Sequence, residues 1–91
     1  MQSPACGRFR DTANAFASGV VLHNDDFNTM SYVVTCLINA VPGMSEERAT
    51  EIMVEAHTHG QARVVTCPLE LAELYRDRLE SLLLTATIER A

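Results

Sequence analysis

From Met30 onward the apolar positions Met30, Val33, Val34, Leu37, Ile38 and Val41 fall at i, i+3, i+4, i+7, i+8 and i+11, the spacing of one helix face. Asn28 or Thr29 supplies the N-cap, and Pro42-Gly43 stops the helix. Ser45 caps a second helix that opens with Glu46 and Glu47, the charge sign favoured at a helix N-terminus. Its inner face is Ala49, Ile52, Met53 and Ala56, and Gly60 is its C-cap. Pro68 suits the first turn of a third helix over 69–83, with Leu71, Leu74, Tyr75, Leu79, Leu82 and Leu83 as its apolar positions. Short β-branched runs at Val20-Val21-Leu22, Arg63-Val64-Val65-Thr66-Cys67 and Thr85-Ala86-Thr87-Ile88-Glu89 read as strands. The order β-α-α-β-α-β predicts an α+β two-layer sandwich, with three helices on one face of a three-stranded sheet. Residues 1–18 show no periodicity and read as a flexible N-terminal tail, which leaves 19–91 as the folded core.

Composition narrows the partners. The chain has 91 residues, seven basic against twelve acidic side chains and a formal net charge of -5, which argues against nucleic acid or an anionic membrane. All seven basic residues are Arg, so the P-loop lysine, the kinase lysine and Schiff-base chemistry are excluded together. Three widely spaced cysteines, Cys6, Cys36 and Cys67, form no C-x-x-C pair and fit a reducing compartment. With no signal-peptide-like run and no membrane span in the sequence, a cytoplasmic location is expected.

Three groups of residues carry potential chemistry. His23-Asn24-Asp25-Asp26 joins a strand to a helix N-terminus. Asn and Asp are ordinary turn and cap residues, but two adjacent carboxylates exceed what a cap needs and suit a cation, either a metal ion or an ammonium group. His57 lies one turn beyond Met53 on the same helix face, so its imidazole belongs at the rim of whatever Met53 lines, whereas His59 points elsewhere. Met30, Val33, Met53 and Ala56 meet where the two helices face each other, either as core or as the wall of an adaptable pocket. A small metal-dependent hydrolase using His57, His59 and the two Asp is the enzymatic alternative, although the spacing is not that of a zinc site. Cys36 and Cys67 read as buried small apolar side chains rather than nucleophiles.

Three runs taken together resemble the ClpS family: Val21-Leu22-His23-Asn24-Asp25-Asp26-Phe27-Asn28-Thr29-Met30; Glu47-Arg48-Ala49-Thr50-Glu51-Ile52-Met53 with His57 and Gly60; and Glu70-Leu71-Ala72-Glu73. ClpS proteins are non-enzymatic adaptors of AAA+ Clp proteases. The resemblance covers about residues 20–91 and implies recognition of N-degrons, substrates whose first residue is Leu, Phe, Tyr or Trp. It further implies delivery to the N-domain of a Clp unfoldase of the ClpA or ClpC type, with no cofactor and no metal. It makes Asn24, Asp25, Asp26 and His57 the group that holds the substrate's α-amino group. Met30, Val33, Met53, Ala56 and Leu84 become the walls of the side-chain pocket, with Asn28 and Thr29 at its rim. Ala56 stands where many members have Val, which implies a deeper or differently shaped pocket. Glu70 matches a contact to the unfoldase, and Tyr75 stands where Lys is common. The remaining alternative is an interaction module of the ribosomal-stalk type, with the same fold and no amine pocket.

Overall fold

The computed structural model describes residues 17–90. Its elements are β1 (Ala17–His23), α1 (Met30–Ala40), α2 (Glu46–His59), β2 (Gln61–Pro68), α3 (Leu69–Ser81) and β3 (Thr85–Arg90). The expected order and two-layer architecture are present. The strands form one antiparallel sheet in the order β2-β1-β3.

β1 is the central strand, and everything from Ser18 to Leu22 is buried. It begins at Ala17, so Ala17 and Ser18 belong to the sheet rather than to the expected tail. Ser18 pairs with Cys67 on one side and Arg90 on the other. The rest of the expected tail, residues 1–16, lies outside the described residues.

Alternation sorts the sheet's two faces. Val20 and Leu22 point into a core completed by Leu37, Ile52, Ala56, Leu79 and Ala86 among others. The opposite face is covered by polar side chains. There Arg63 donates to Glu89 at 2.6 Å, and its guanidinium lies so close over Gly19 that a Cβ at that position would meet Arg63 Nε at 2.9 Å. The pairing of β1 with β2 slips between Val20 and Val21, whose partners are Val65 and Arg63. The extra residue, Val64, makes a β-bulge that lets both Val64 and Val65 reach the core.

The helices begin and end for local reasons. Of the two candidate N-caps, Thr29 serves α1, its hydroxyl accepting from Tyr32 N–H at 3.1 Å. Ser45 caps α2 by accepting from Arg48 N–H at 3.0 Å. Gly60 closes α2 in the left-handed conformation, with φ 91°.

α3 ends at Ser81, two residues before the expected boundary. Leu84 N–H donates to Leu79 O at 3.1 Å and Leu83 N–H to Glu80 O at 3.0 Å. This is the Schellman pattern, and Leu83 holds the left-handed position with φ 71° where glycine is usual. Leu83 is therefore 77% exposed rather than part of an apolar helix face. Leu71 and Leu74 are exposed as well. The inward stripe of α3 runs instead through Ala72, Tyr75, Leu79 and Leu82, the small Ala72 being buried where the apolar count passed over it. On α1 the buried stripe turns towards Cys36 and Ala40, and Met30 and Ile38 lie at its exposed margins. Cys67 is only half-buried, on the edge strand β2.

Candidate functional site

β1 leaves the sheet at His23 and the chain reaches Met30, the start of α1, through six residues that must turn sharply. The first of them, Asn24, donates its backbone N–H to Gly60 O at 3.0 Å. That bond ties the start of the loop to the C-cap of α2 and brings Asn24 beside the helix end that carries His57.

The next residue organises the turn. Asp25 Oδ1 accepts from the backbone N–H groups of Phe27 and Asn28, both at 2.9 Å. Asn28 Nδ2 donates to the same carboxylate, 3.0 Å from Oδ2 and 3.3 Å from Oδ1. This is an Asx turn. Partial burial alone would raise the Asp25 pKa, but the hydrogen bonds from Asn28 and Phe27 outweigh it and hold the carboxyl below its ordinary value.

Asp25 was expected, with its neighbours, to hold an incoming cation. Its Oδ1 is engaged in building the loop, while Oδ2 accepts only from the Asn28 amide. Asp26, the Asn24 side chain and His57 make no hydrogen bond among the described residues, so their acceptors remain available.

These groups rim a cavity of about 240 Å³. Its polar edge is Asn24, Asp25, Asp26 and His57, its apolar wall Met30, Val33, Met53, Ala56 and Leu84, and Asn28 and Thr29 also line it. Every pocket residue expected from the sequence therefore borders the same space. Leu22 and His23 line it too; His23 belongs to the polar group singled out in the sequence, without a pocket role, whereas Leu22 does not. Leu22 was legible in principle, since an inward-facing residue at the end of a strand borders whatever lies beneath the following loop. His23 shares a hydrogen bond of 2.7 Å with Thr87 Oγ1.

His59 does not border this cavity. It lies beside Val54 and Thr58 along a shallow depression of α2, so the constellation of His57, His59 and the two Asp that a metal hydrolase would need is not assembled.

The cavity pairs an apolar interior, the volume of one large side chain, with a mouth that offers carboxylate, amide and imidazole acceptors and no cationic side chain. An ammonium donates three hydrogen bonds and accepts none. The arrangement is complementary to a positive donor attached to a hydrophobic group.

The expected docking residues lie elsewhere, on α3. Glu70 is exposed in its first turn. Tyr75 is half-buried against the core, with the Arg78 guanidinium 5.9 Å from its ring centroid. Five residues apart, the two point roughly 140° from one another around the helix.

A family model described as ATP-dependent Clp protease adaptor protein ClpS matches residues 17–86. The chain belongs to the ClpS family. Among ClpS relatives, the ATP-dependent Clp protease adapter protein ClpS of Synechococcus elongatus is 50% identical over 70 residues, covering 77% of this chain and 74% of that protein. The chloroplastic adapter CLPS1 of Chlamydomonas reinhardtii is 41% identical over 88 residues, 97% of this chain and 54% of that one. Among solved structures, Agrobacterium tumefaciens ClpS2 bound to L-phenylalaninamide superposes with a TM-score of 0.78 at 29% identity, over 85% of this chain and 99% of that chain. The ClpS fold expected from the sequence is thus the observed one, and the chain is an adaptor of Clp protease. Among the described residues no helix is long and apolar enough to cross a membrane.

Proposed function

We propose that this ClpS adaptor binds the free α-amino group and bulky hydrophobic first residue of N-degron substrates, Leu, Phe, Tyr or Trp, and presents them to the N-domain of a Clp unfoldase of the ClpA or ClpC type in the cytoplasm. The observation that carries this reading is the pairing of an apolar cavity with unoccupied acceptors at its mouth. Support also comes from Agrobacterium ClpS2, whose ligand, L-phenylalaninamide, carries a free α-amine beside a large apolar side chain.

The amine's hydrogen bonds go to Asp26, Asn24 and His57. Asp25 acts chiefly by holding the loop that presents them. Met30, Val33, Met53, Ala56 and Leu84 receive the side chain. Burying a Leu-sized group contributes roughly 1.5–3 kcal/mol, and each charge-assisted hydrogen bond roughly 1.5–3 more. After the cost of association, a net near -8 kcal/mol corresponds to micromolar binding, weak enough for release to an unfoldase. Glu70 is the docking residue open to a partner, with Tyr75 supporting α3 from its inner side.

The test is a fluorescence titration with peptides that begin with free Leu or Phe, against the same peptides N-acetylated. Binding of the free forms alone supports the reading; equal binding of both refutes amine recognition. Binding should also weaken above about pH 8, as the peptide's α-amino group loses its proton.

A further inference from the structure

The turn between α3 and β3 is the least comfortable part of the cavity wall. Leu83 occupies left-handed space with a side chain that is 77% exposed, so burial does not hold it there. A non-glycine residue in that conformation persists only where its surroundings impose it. The Schellman backbone bonds contribute, and two side chains from the entry to α1 hold the turn from outside α3. Tyr32 Oη–H donates to Leu82 O at 2.8 Å, and Asn28 Nδ2 donates to Leu83 O at 3.0 Å. The same Asn28 nitrogen gives its other hydrogen to the Asp25 carboxylate. The next residue after this turn is Leu84, buried and part of the cavity's apolar wall.

We propose that Asn28 and Tyr32 are positioning residues that set the width of the side-chain cavity by fixing the Leu82–Leu84 turn, and that Asn28 also couples this wall to the loop at the cavity's polar mouth. The inference rests on the first-residue reading given above. With the Tyr32 hydroxyl removed, the turn relaxes, Leu84 retreats, and a larger first side chain is penalised less. With Asn28 shortened, both the wall and the Asp25 loop lose a donor.

The test uses the full chain, Tyr32→Phe and Asn28→Ala, titrated with free-amine peptides that differ only in beginning with Leu or Phe and with the acetylated Phe peptide. Amide hydrogen exchange at Leu83 and Leu84 is followed by NMR. For Tyr32→Phe the affinity ratio of Phe to Leu peptide rises about three- to tenfold, as the loss of one hydrogen bond allows, and exchange at Leu83 and Leu84 quickens. Asn28→Ala shows the same exchange change and weakens both free peptides. Tyr32→Phe keeps the ring, so the test survives if Asn28→Ala does not fold. A Phe-to-Leu ratio that stays within about twofold of the parent, or unchanged exchange in Tyr32→Phe, overturns the proposal while leaving amine recognition intact. A parent chain that binds neither free peptide, or binds the acetylated one equally, removes the first-residue reading and this inference with it.

Discussion

Asp25 and Asp26 are adjacent, carry the same functional group and border the same cavity, yet their surroundings differ. Asp25 is engaged by two backbone N–H groups and the Asn28 amide, whereas Asp26 is exposed and without a partner among the described residues. Asp26→Ala should therefore weaken binding of a Phe-first peptide by about ten- to a hundredfold, the worth of one charge-assisted hydrogen bond, and leave the melting temperature unchanged. Asp25→Ala should lower stability by about 1 kcal/mol, as the loss of a capping side chain does, and weaken binding through the disordered loop. Paired titrations and thermal melts distinguish the two. The depressed Asp25 pKa adds a pH signature. A carboxylate held below its ordinary value contributes stability that is fully present above the unfolded-state value and is lost as pH falls through the folded-state one. The difference in melting temperature between the parent and Asp25→Asn should thus be greatest near neutrality and shrink below about pH 4. A difference that grows in acid would contradict this origin.

At the scale of elements, two left-handed residues close two helices with opposite chemistry. Gly60 has no Cβ, and nothing lies within 4 Å of where one would be, so Gly60→Ala should cost about 1–2 kcal/mol purely through backbone conformation. That substitution should also disturb binding, since Gly60 O holds Asn24. Leu83→Gly relieves the same kind of strain and should raise the melting temperature by a few degrees, about 4–8 °C per kcal/mol for a chain of this size.

These two corners also show what the sequence could and could not reveal. Gly60 was legible because glycine after a periodic stretch is a stop signal. Leu83 was not, because a leucine continuing an apolar pattern reads as more helix. The helix faces that line the cavity were legible for the same reason of spacing: Met53, Ala56 and His57 follow from 3.6-residue periodicity. The Asp25 turn was half-visible, since Asp and Asn suit both capping and ligand binding, and the bonds from Asn28 to the carboxylate depend on a loop geometry that spacing does not specify. Tyr32 was invisible, because its partner carbonyl lies 50 residues away in the chain. The bulge at Val64 was hidden as well, being a property of two strands together rather than of either one.

For the whole molecule, the organising element is β1, which pairs on both sides and is buried from Ser18 to Leu22. Amide exchange should be slowest at Val20, Val21 and Leu22, approaching the global unfolding limit, and fastest along the outer turns of α2. Comparable protection in β1 and on the exposed face of α2 would refute that order. Outer-face polar pairs add little: Arg63 and Glu89 are each nearly half exposed, so Glu89→Gln should change stability by less than about 1 kcal/mol, as a denaturant titration would show.

The loop proposed to read the incoming chain is the direct continuation of this central strand, with only His23 between the last buried residue and Asn24. If that role holds, a binding surface that issues from the segment expected to come apart last is not switched off by fraying at the periphery. Heating or denaturant should accordingly abolish capture of a peptide and the cooperative melting of the protein at one and the same midpoint, with no intermediate species that keeps its shape but has gone blind.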